Sequence, residues 1–275
     1  MKPHSLRTRA RAFARRLYLW LMQRRSQMAQ PENLASSAIV FSPHQDDETL
    51  GCGGTILKKI QAGASVRIVF MTDGSQSHAQ AMSASELKDI RMNEALAAAE
   101  KLGVARQDVV FLNVPDGTLS QQCNQAIASV KSLLLRTIPE EVFVPYRQDG
   151  VADHDATCQV VLSAIQASGL SVMVHEYPVW FWCNWPWTVA EQSKQQSSKL
   201  RHRLSVGRAW LKHFRYAVDI EDVLDLKQSA LSAHRSQMTK LVPDPSWLTL
   251  GDIAEGEFLP CFFQNREFFH RYRLN

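Results

Sequence analysis

Apolar residues along the chain form short runs, and longer amphipathic stretches separate them. The runs predict strands at 38–44, 66–72, 109–113, 142–144 and 172–177. The stretches predict helices at about 55–62, 86–102, 121–136 and 153–167, the first of them after a glycine-rich turn at 51–54. This regular alternation predicts an α/β fold, in which a mostly parallel sheet carries helices on both faces.

The alternation ends after residue 177. Residues from about 178 to 216 contain four of the chain's seven tryptophans near their start, followed by a basic polar stretch from Lys194 to Arg215. We interpret this segment as an insertion. One further helix is predicted near 222–233, and a tail rich in phenylalanine follows it.

The N-terminus differs from the rest of the chain, because residues 1–30 contain eight Lys and Arg residues and no acidic residue. The apolar members of this segment recur at helical spacing, with arginines on the other side. The apolar set is Leu6, Ala10, Phe13, Leu17, Trp20 and Leu21, and the arginines are Arg7, Arg11 and Arg15. We predict a basic amphipathic arm over 1–32 and a single domain over 33–275.

Such an arm can contact an anionic membrane through residues 1–25, or it can pack on the protein body or on a partner. Its longest apolar run, 17–22, is too short for a membrane span or for the core of a signal peptide. Outside the arm, acidic residues outnumber basic ones. The body therefore offers no continuous basic face, and a nucleic-acid partner is not expected.

Five cysteines occur without a C-x-x-C pair. An odd, unpaired set argues against a disulfide framework and against a thiolate zinc site, and it favours a reducing, cytoplasmic location. Any metal ion would then have to be bound by histidine and carboxylate side chains.

Such side chains are concentrated at 43–48, in the sequence Pro-His-Gln-Asp-Asp-Glu, directly after the first predicted strand. His44 and Asp47 are three residues apart and can bind one cation, for which nitrogen and oxygen ligands of this type suit zinc. Two adjacent aspartates in a loop point in different directions, so one can bind the metal while its neighbour stays free to accept a proton from the metal-bound water. The alternative interpretation is that these aspartates cap a helix.

A catalytic zinc ion takes three protein ligands and leaves one position open, so a third ligand is needed. His154 is the candidate, because it follows the strand at 142–144, and parallel strands end at the same edge of a sheet. Asp153, beside it, is predicted to cap the following helix or to orient His154. The glycines at 51, 53 and 54 do not continue into a dinucleotide fingerprint, since Ile56 stands at the third glycine position, and a nucleotide site is not expected.

With these two motifs the chain resembles the PIG-L (LmbE-like) N-deacetylase family, whose signature is P-H-x-D-D followed by H-x-D-H. Residues 72–74, the Arg91 and Glu94 pair, 112–117 and 227–237 also fall in the family's order. The resemblance implies a Rossmann-like fold and an enzyme that removes an acetyl group from an amino sugar or a glycan- or lipid-linked N-acetylglucosamine. It implies Zn²⁺, or another divalent metal, bound by His44, Asp47 and His154, with Asp46 as the general base.

Other residues are expected to support this site. Glu48 and Asp153 should lie behind the metal ligands. Arg91 and Glu94 fall within the apolar stripe of their predicted helix, so they should be buried together, as a structural ion pair or with Arg91 lining the sugar pocket. Arg147 and Asp149 are candidates to bind sugar hydroxyls. The tryptophans at 180–187 are interpreted as buried packing, or as a lip that contacts sugar or membrane.

The sequence departs from the family pattern at two positions. Gln45 replaces a proline, and Val151 stands where the second motif begins with histidine. That histidine is expected to stabilise the oxyanion of the reaction, so zinc must act here with another donor. The alternative is a metal-binding protein with weak or no catalysis that recognises a sugar. The sequence gives no indication of the oligomeric state.

Overall fold

A computed structural model describes residues 6–188 and 196–275 of the chain. Its core is one sheet of eight strands in the spatial order β1-β7-β8-β6-β5-β2-β3-β4. The strands are β1 (Gln27–Met28), β2 (Ala38–Ser42), β3 (Val66–Thr72), β4 (Val109–Val114), β5 (Glu141–Pro145), β6 (Val172–Tyr177), β7 (Tyr216–Asp219) and β8 (Arg266–Leu274).

Most neighbouring strands are parallel, and β8 alone runs antiparallel to its two neighbours, β6 and β7. The central strands β2 and β5 are buried at every position. This is why they read as continuous apolar runs, since a sheet covered on both faces has no solvent side. The Rossmann-like α/β class that the sequence predicts is confirmed.

The helices cover both faces of the sheet. They are α1 (Leu6–Arg25), α2 (Pro31–Ala35), α3 (Asp47–Gln61), α4 (Ala84–Lys101), α5 (Cys123–Thr137), α6 (Ala152–Ser168), α7 (Gln196–His213), α8 (Leu224–Leu231) and α9 (Arg235–Met238). Two apolar cores result. One joins the sheet to α5 and α6, and the larger one, on the opposite face, contains residues of α3, α4, α7 and α8.

Helix α3 begins earlier than predicted. It starts at Asp47, so the glycines at 51, 53 and 54 lie inside a helix and form no turn. Close packing accounts for two of them: a Cβ atom at Gly51 would lie 2.2 Å from the Tyr177 ring, and one at Gly54 would lie 2.6 Å from Ile220. These glycines let α3 pack closely against Tyr177 and Ile220, and this close packing outweighs their poor helix propensity.

The segment after β6 forms a layer of its own on the larger core. A short 3-10 helix at Trp180–Cys183 leads to α7, and Trp182, Trp187 and Trp210 are buried against one another. The packing interpretation of the tryptophan cluster is therefore what the structure shows for Trp182 and Trp187. Residues 194 and 195 of the predicted basic stretch lie outside the described residues. None of the described helices is long and apolar enough to cross a membrane.

Candidate metal and catalytic site

The topology brings the two predicted motifs together. β2 and β5 are parallel neighbours, so the loop after β2 and the start of α6 after β5 meet at one edge of the sheet. There, Nε2 of His154 lies 3.2 Å from Oδ2 of Asp47, and Nδ1 of His44 lies 3.3 Å from the same oxygen. These three donor atoms lie within 4.8 Å of one another.

The second nitrogen of His154 faces a carboxylate. Nδ1 lies 2.8 Å from Oδ2 of Asp149, and both side chains are fully buried. Asp149 also accepts hydrogen bonds from the backbone N–H groups of Val179, Trp180 and Phe181, at 2.8–3.0 Å. Its carboxylate is thus occupied inside the protein, in contrast to the sugar contact considered from the sequence, and it fixes the orientation of the His154 ring.

The second nitrogen of His44 also faces carboxylates. Nε2 lies 3.2 Å from Asp116 and 3.5 Å from Asp153. Asp153 in turn accepts hydrogen bonds from the N–H groups of Gly117 and Leu119. Asp153 therefore neither caps α6, which Val151 precedes as the N-cap residue, nor contacts His154 in the described structure. A carboxylate behind each ring leaves Nδ1 of His44 and Nε2 of His154 to face Asp47.

Asp116 is a site residue that we did not single out from the sequence. It lies in the turn after β4, and its carboxylate also accepts the N–H of Gln76. What pointed to Asp116 in the sequence was its place in the segment 112–117, directly after a strand that neighbours β3 in the sheet. Turn aspartates of this kind are common, which is why the position alone did not suggest a contact with His44.

The donor set fits a divalent metal ion. Both ring nitrogens of His154 are buried and make no hydrogen bond of good geometry, although a carboxylate oxygen lies within contact distance of each. Burial lowers the pKa of His154, but Asp47 and Asp149 together raise it to about 9. Burial raises the pKa of Asp47, and the charges of His154 and His44 outweigh this and hold it well below its ordinary value. Two imidazoles and one carboxylate at this spacing are a zinc-type ligand set, and binding a metal requires loss of the imidazole protons.

A second group, formed by His44, Asp116 and Asp153, has donor atoms equally close together. It contains only one imidazole, which it shares with the first group. Its carboxylates accept backbone hydrogen bonds from Gln76, Gly117 and Leu119, as Asp47 of the first group does from His44. The first group is therefore the better zinc site, since histidine nitrogen is the ligand that separates zinc from harder cations.

Asp46 has a strained backbone beside this cluster. Its φ is 142°, which non-glycine residues rarely adopt. Its N–H donates to Glu48 at 3.0 Å, and the preceding carbonyl, of Gln45, accepts a hydrogen bond from Arg91 at 2.6 Å. Asp46 does not cap α3 with its side chain. The strain is thus held by two buried partners, and the Asp46 carboxylate itself is paired with Arg91.

The environment of Asp46 favours its neutral form. Burial raises the pKa of Asp46 to about 7, against the opposing charge of Arg91, whose Nη2 lies 3.5 Å from Oδ1. Asp47 and Glu48 add to the rise, and His234 opposes it. A carboxyl group that titrates near neutral pH can accept a proton and return it, as general acid–base catalysis requires.

We expect Asp46→Asn to stabilise the metal-free fold. The folded-state pKa of about 7 lies above the ordinary value of 3.8, so ionised Asp46 destabilises the fold as pH rises between these values. The stability gap between variant and wild type should widen from about pH 4 to pH 7 and stay constant above, on the order of a few kcal/mol. Denaturant unfolding in the presence of a chelator measures it. A gap that is absent or independent of pH would contradict the assigned environment.

Glu48 connects Asp46 to the segment 227–237. Its Oε2 accepts from Asp46 and lies 3.3 Å from the Ser42 hydroxyl, while Oε1 lies 3.1 Å from Nε2 of His234. His234 is fully buried, and its contact with Glu48 could not be inferred from the sequence because 185 residues separate the two side chains. Glu48 therefore lies behind His44, Asp47 and His154, and it holds the backbone N–H of Asp46.

Arg91 and Glu94 do not form the expected ion pair among the described residues. Arg91 contacts Gln45 and Asp46, whereas Glu94 accepts hydrogen bonds from the N–H and the hydroxyl of Ser236 at 2.8 and 2.7 Å. Each charged side chain has its own partner, because α4 lies between the loop at 43–48 and α9. The prediction that Arg91 is buried is confirmed.

Arg147 follows β5, and its described side-chain contacts are with β6 and β8. It pairs with Glu176, whose carboxylate is fully buried, and its guanidinium lies over the Tyr272 ring. Burial raises the pKa of Glu176, but His270, Arg147 and Tyr272 outweigh this and lower it to about 2. The structure gives this arginine a packing contact with β6 and β8.

The α/β fold thus brings two imidazoles and a carboxylate that could hold a metal ion to one edge of the sheet, with Asp46 next to Asp47 in the same loop. Residues 39–165 match the PIG-L family, described as GlcNAc-PI de-N-acetylase. The resemblance noted from the sequence is confirmed over residues 39–165, and the curated relatives that match the chain are deacetylases.

Two curated relatives are each 25% identical to the chain. One is the 1D-myo-inositol 2-acetamido-2-deoxy-alpha-D-glucopyranoside deacetylase of Rhodococcus opacus, aligned over 79% of this chain and 87% of its own length. The other is the diacetylchitobiose deacetylase of Thermococcus kodakarensis, with 79% and 74% covered. Among solved structures, N,N'-diacetylchitobiose deacetylase from Pyrococcus horikoshii has a TM-score of 0.63 at 22% identity, covering 99% of this chain and 95% of that one. At this identity the structural match supports the fold.

Proposed function

We propose that this protein is a metal-dependent N-deacetylase that hydrolyses the acetamide of an amino sugar. The observation that carries the proposal is the meeting of His44, Asp47 and His154 around one point, with Asp46 next to Asp47 in the same loop. The relatives named above are deacetylases of N-acetylated sugars. For this chain the substrate is proposed to be an N-acetylglucosamine-type group on a glycan or a lipid.

The proposed metal is Zn²⁺, with another divalent ion as the alternative, held by Nδ1 of His44, Oδ2 of Asp47 and Nε2 of His154. When bound, such an ion polarises the amide carbonyl and makes water a competent nucleophile near neutral pH. Asp149, Asp116 and Asp153 hold the two imidazoles in the orientation that binding needs, which is the part that carboxylates behind metal-bound histidines generally play.

Asp46 is the proposed general base. Its carboxylate accepts a proton from the attacking water, and the same group returns the proton to the departing amine nitrogen. Arg91 and Glu48 hold Asp46 in place through the contacts described above. Arg91 remains a candidate for substrate contact, and for Arg147 and Asp149 we now propose supporting parts in place of the sugar contact.

The direct test is incubation of the zinc-loaded chain with N-acetylglucosaminyl substrates. Acetate should be released, and a chelator should abolish the release until zinc is restored. A chain that binds zinc yet releases no acetate from any acetylated amino sugar would overturn the proposal.

Val151 favours a second candidate function, a sugar-binding protein with weak or no catalysis. A histidine at this position would add a donor for the developing oxyanion, for which single donors are worth about 100- to 1,000-fold in kcat. We therefore expect Val151→His to raise kcat at least about tenfold, measured as acetate release, whereas Val151→Ala should not. Binding of an acetylated glycan without turnover, unaffected by Asp46→Asn, would favour the second function.

Further parts of the proposal concern the chain as a whole. We propose an arm over 1–32 and a deacetylase domain over 33–275, with the insertion at about 178–216. We also propose a cytoplasmic location, because the described cysteines are free, and a part in glycan biosynthesis. Membrane contact by residues 1–25 is a separate proposal that depends on a different surface.

A further inference from the structure

Helix α1 carries apolar side chains on its outer side as well as on its inner side. Its largest apolar side chains face solvent: Phe13 is 68% exposed, Trp20 51% and Leu17 41%. In contrast, Arg11 and Arg15 face the protein, where both pair with Glu257. A helix of a globular protein normally buries its apolar stripe and exposes its charges. The outward stripe of α1 is therefore in a position to contact something other than water.

The orientation of α1 is fixed by its inner face. Met22 is 1% exposed, and the Tyr18 ring packs edge-on against Trp185 at 6.0 Å. Nε of Arg15 donates to the carbonyl of Pro186 at 2.7 Å. The chain after α1 then joins the sheet as β1, paired with β7. Rotating the helix to bury its apolar stripe would break all of these contacts.

Helix α7 enlarges the same face. The two helices approach closely, since a Cβ atom at Gly207 would lie 2.1 Å from the Tyr18 hydroxyl. Leu204, one turn before Gly207 and on the same side of α7, is 64% exposed. We define the docking face by Phe13, Leu17, Trp20 and Leu204 with the exposed arginines around them. These are Arg9, Arg16 and Arg24 of α1 and Arg201, Arg203 and Arg208 of α7.

The charge of this face points to its partner. Neither α1 nor α7 contains an aspartate or a glutamate. On α1 the arginines alternate with the apolar side chains on the outward side, and the guanidinium of Arg24 lies 5.2 Å from the Trp20 ring centre. Arginine stems can lie along an apolar layer while their charged ends reach phosphate groups. Tryptophan favours the same boundary between headgroups and acyl chains.

We propose that the α1–α7 face docks on an anionic lipid bilayer. Phe13, Leu17, Trp20 and Leu204 enter the boundary region, and the arginines contact lipid phosphates, as in helices that lie in the plane of a membrane. The proposal does not depend on the deacetylase activity. It places Trp185 and Pro186, which contact Tyr18 and Arg15 of α1, beneath the docking face. The N–H groups that bind Asp149 behind His154 belong to the same loop.

Sedimentation of the full-length chain with vesicles tests the proposal. The chain should bind vesicles of phosphatidylcholine mixed with phosphatidylglycerol, bind vesicles of phosphatidylcholine alone much less, and dissociate at high salt. Phe13→Ser combined with Trp20→Ser should weaken binding at least about tenfold, because the apolar contact is lost. Arg16→Glu combined with Arg24→Glu should weaken it about tenfold or more, because the charge attraction is lost.

A matched control uses exposed apolar residues elsewhere. Leu135 and Ile138, 47% and 65% exposed at the end of α5 on the opposite face of the sheet, are replaced together by serine. This variant should bind vesicles like the wild type, and all variants should keep the circular dichroism spectrum. Failure of the wild type to bind anionic vesicles overturns the proposal. So does a result in which the α1 variants abolish a concentration-dependent dimer, or nucleic-acid binding, and leave vesicle binding unchanged.

Discussion

His154→Ala is expected to remove metal binding and acetate release together. The fully buried imidazole supplies one of three donors, and no other nitrogen ligand of the described residues lies within reach of Nδ1 of His44 and Oδ2 of Asp47. The loss of zinc affinity should exceed the roughly 100-fold that removal of a residue behind a ligand costs. Asp149→Asn should cause this smaller loss of zinc affinity. It places an amide group against the backbone N–H groups of the loop and holds the His154 ring less firmly. Zinc titration by calorimetry measures both.

The control for this series is His202→Ala, which removes an exposed imidazole of α7 that contacts only Asn184 among the described residues. It should bind zinc like the wild type. If His154→Ala fails to fold, His44→Ala gives the same test, since His44 is 18% exposed and its loss leaves a smaller internal cavity. Retention of one tightly bound zinc ion per chain in both variants would show that the ligand assignment is wrong.

Asp46→Asn should leave zinc bound and lower kcat by about 100- to 10,000-fold, the range that a general base contributes. The amide has nearly the same shape but cannot accept the proton. Asp222→Asn is the matched control, because Asp222 is exposed and, among the described residues, pairs only with Lys58 at the far end of α3. Acetate release with saturating substrate measures the effect. Activity within a few-fold of wild type would exclude Asp46 as the base.

The sequence predicted the position of the site because the relevant contacts follow from strand topology. His44 and His154 each follow a buried apolar run, and parallel neighbours must end at one sheet edge. The spacing of His44 and Asp47 predicted one shared cation, and the family resemblance then assigned Asp46 to proton transfer. Both predictions used local patterns together with a single rule about sheets, and the donor atoms of His44, Asp47 and His154 do lie within 4.8 Å of one another.

The residues behind the ligands were harder to predict, because their contacts are set by the tertiary structure. Asp149 looked like a free loop carboxylate, yet the chain folds back after β6 and surrounds it with three N–H groups. The short strand β1 and the antiparallel β8 were also missed. β1 is only two residues long, and β8 carries an aromatic pattern without the turn signals that would mark a hairpin.

The orientation of α1 shows a limit of the helical wheel. The wheel correctly separated Phe13, Leu17 and Trp20 from Arg11 and Arg15, but a wheel does not say which side faces the body. Glu257, which lies far along the chain, decides this by pairing with both arginines. The outward side of α1 carries Phe13, Leu17 and Trp20. Membrane contact therefore has a structural basis that the sequence pattern alone did not supply.

Anomalous diffraction at the zinc absorption edge, from crystals of the zinc-loaded chain, tests the central claim most directly. We expect one peak bound by Nδ1 of His44, Oδ2 of Asp47 and Nε2 of His154, at about 2.0–2.2 Å from each donor. A peak bound instead by Nε2 of His44 with Asp116 and Asp153, or no peak at the sheet edge, would contradict the account.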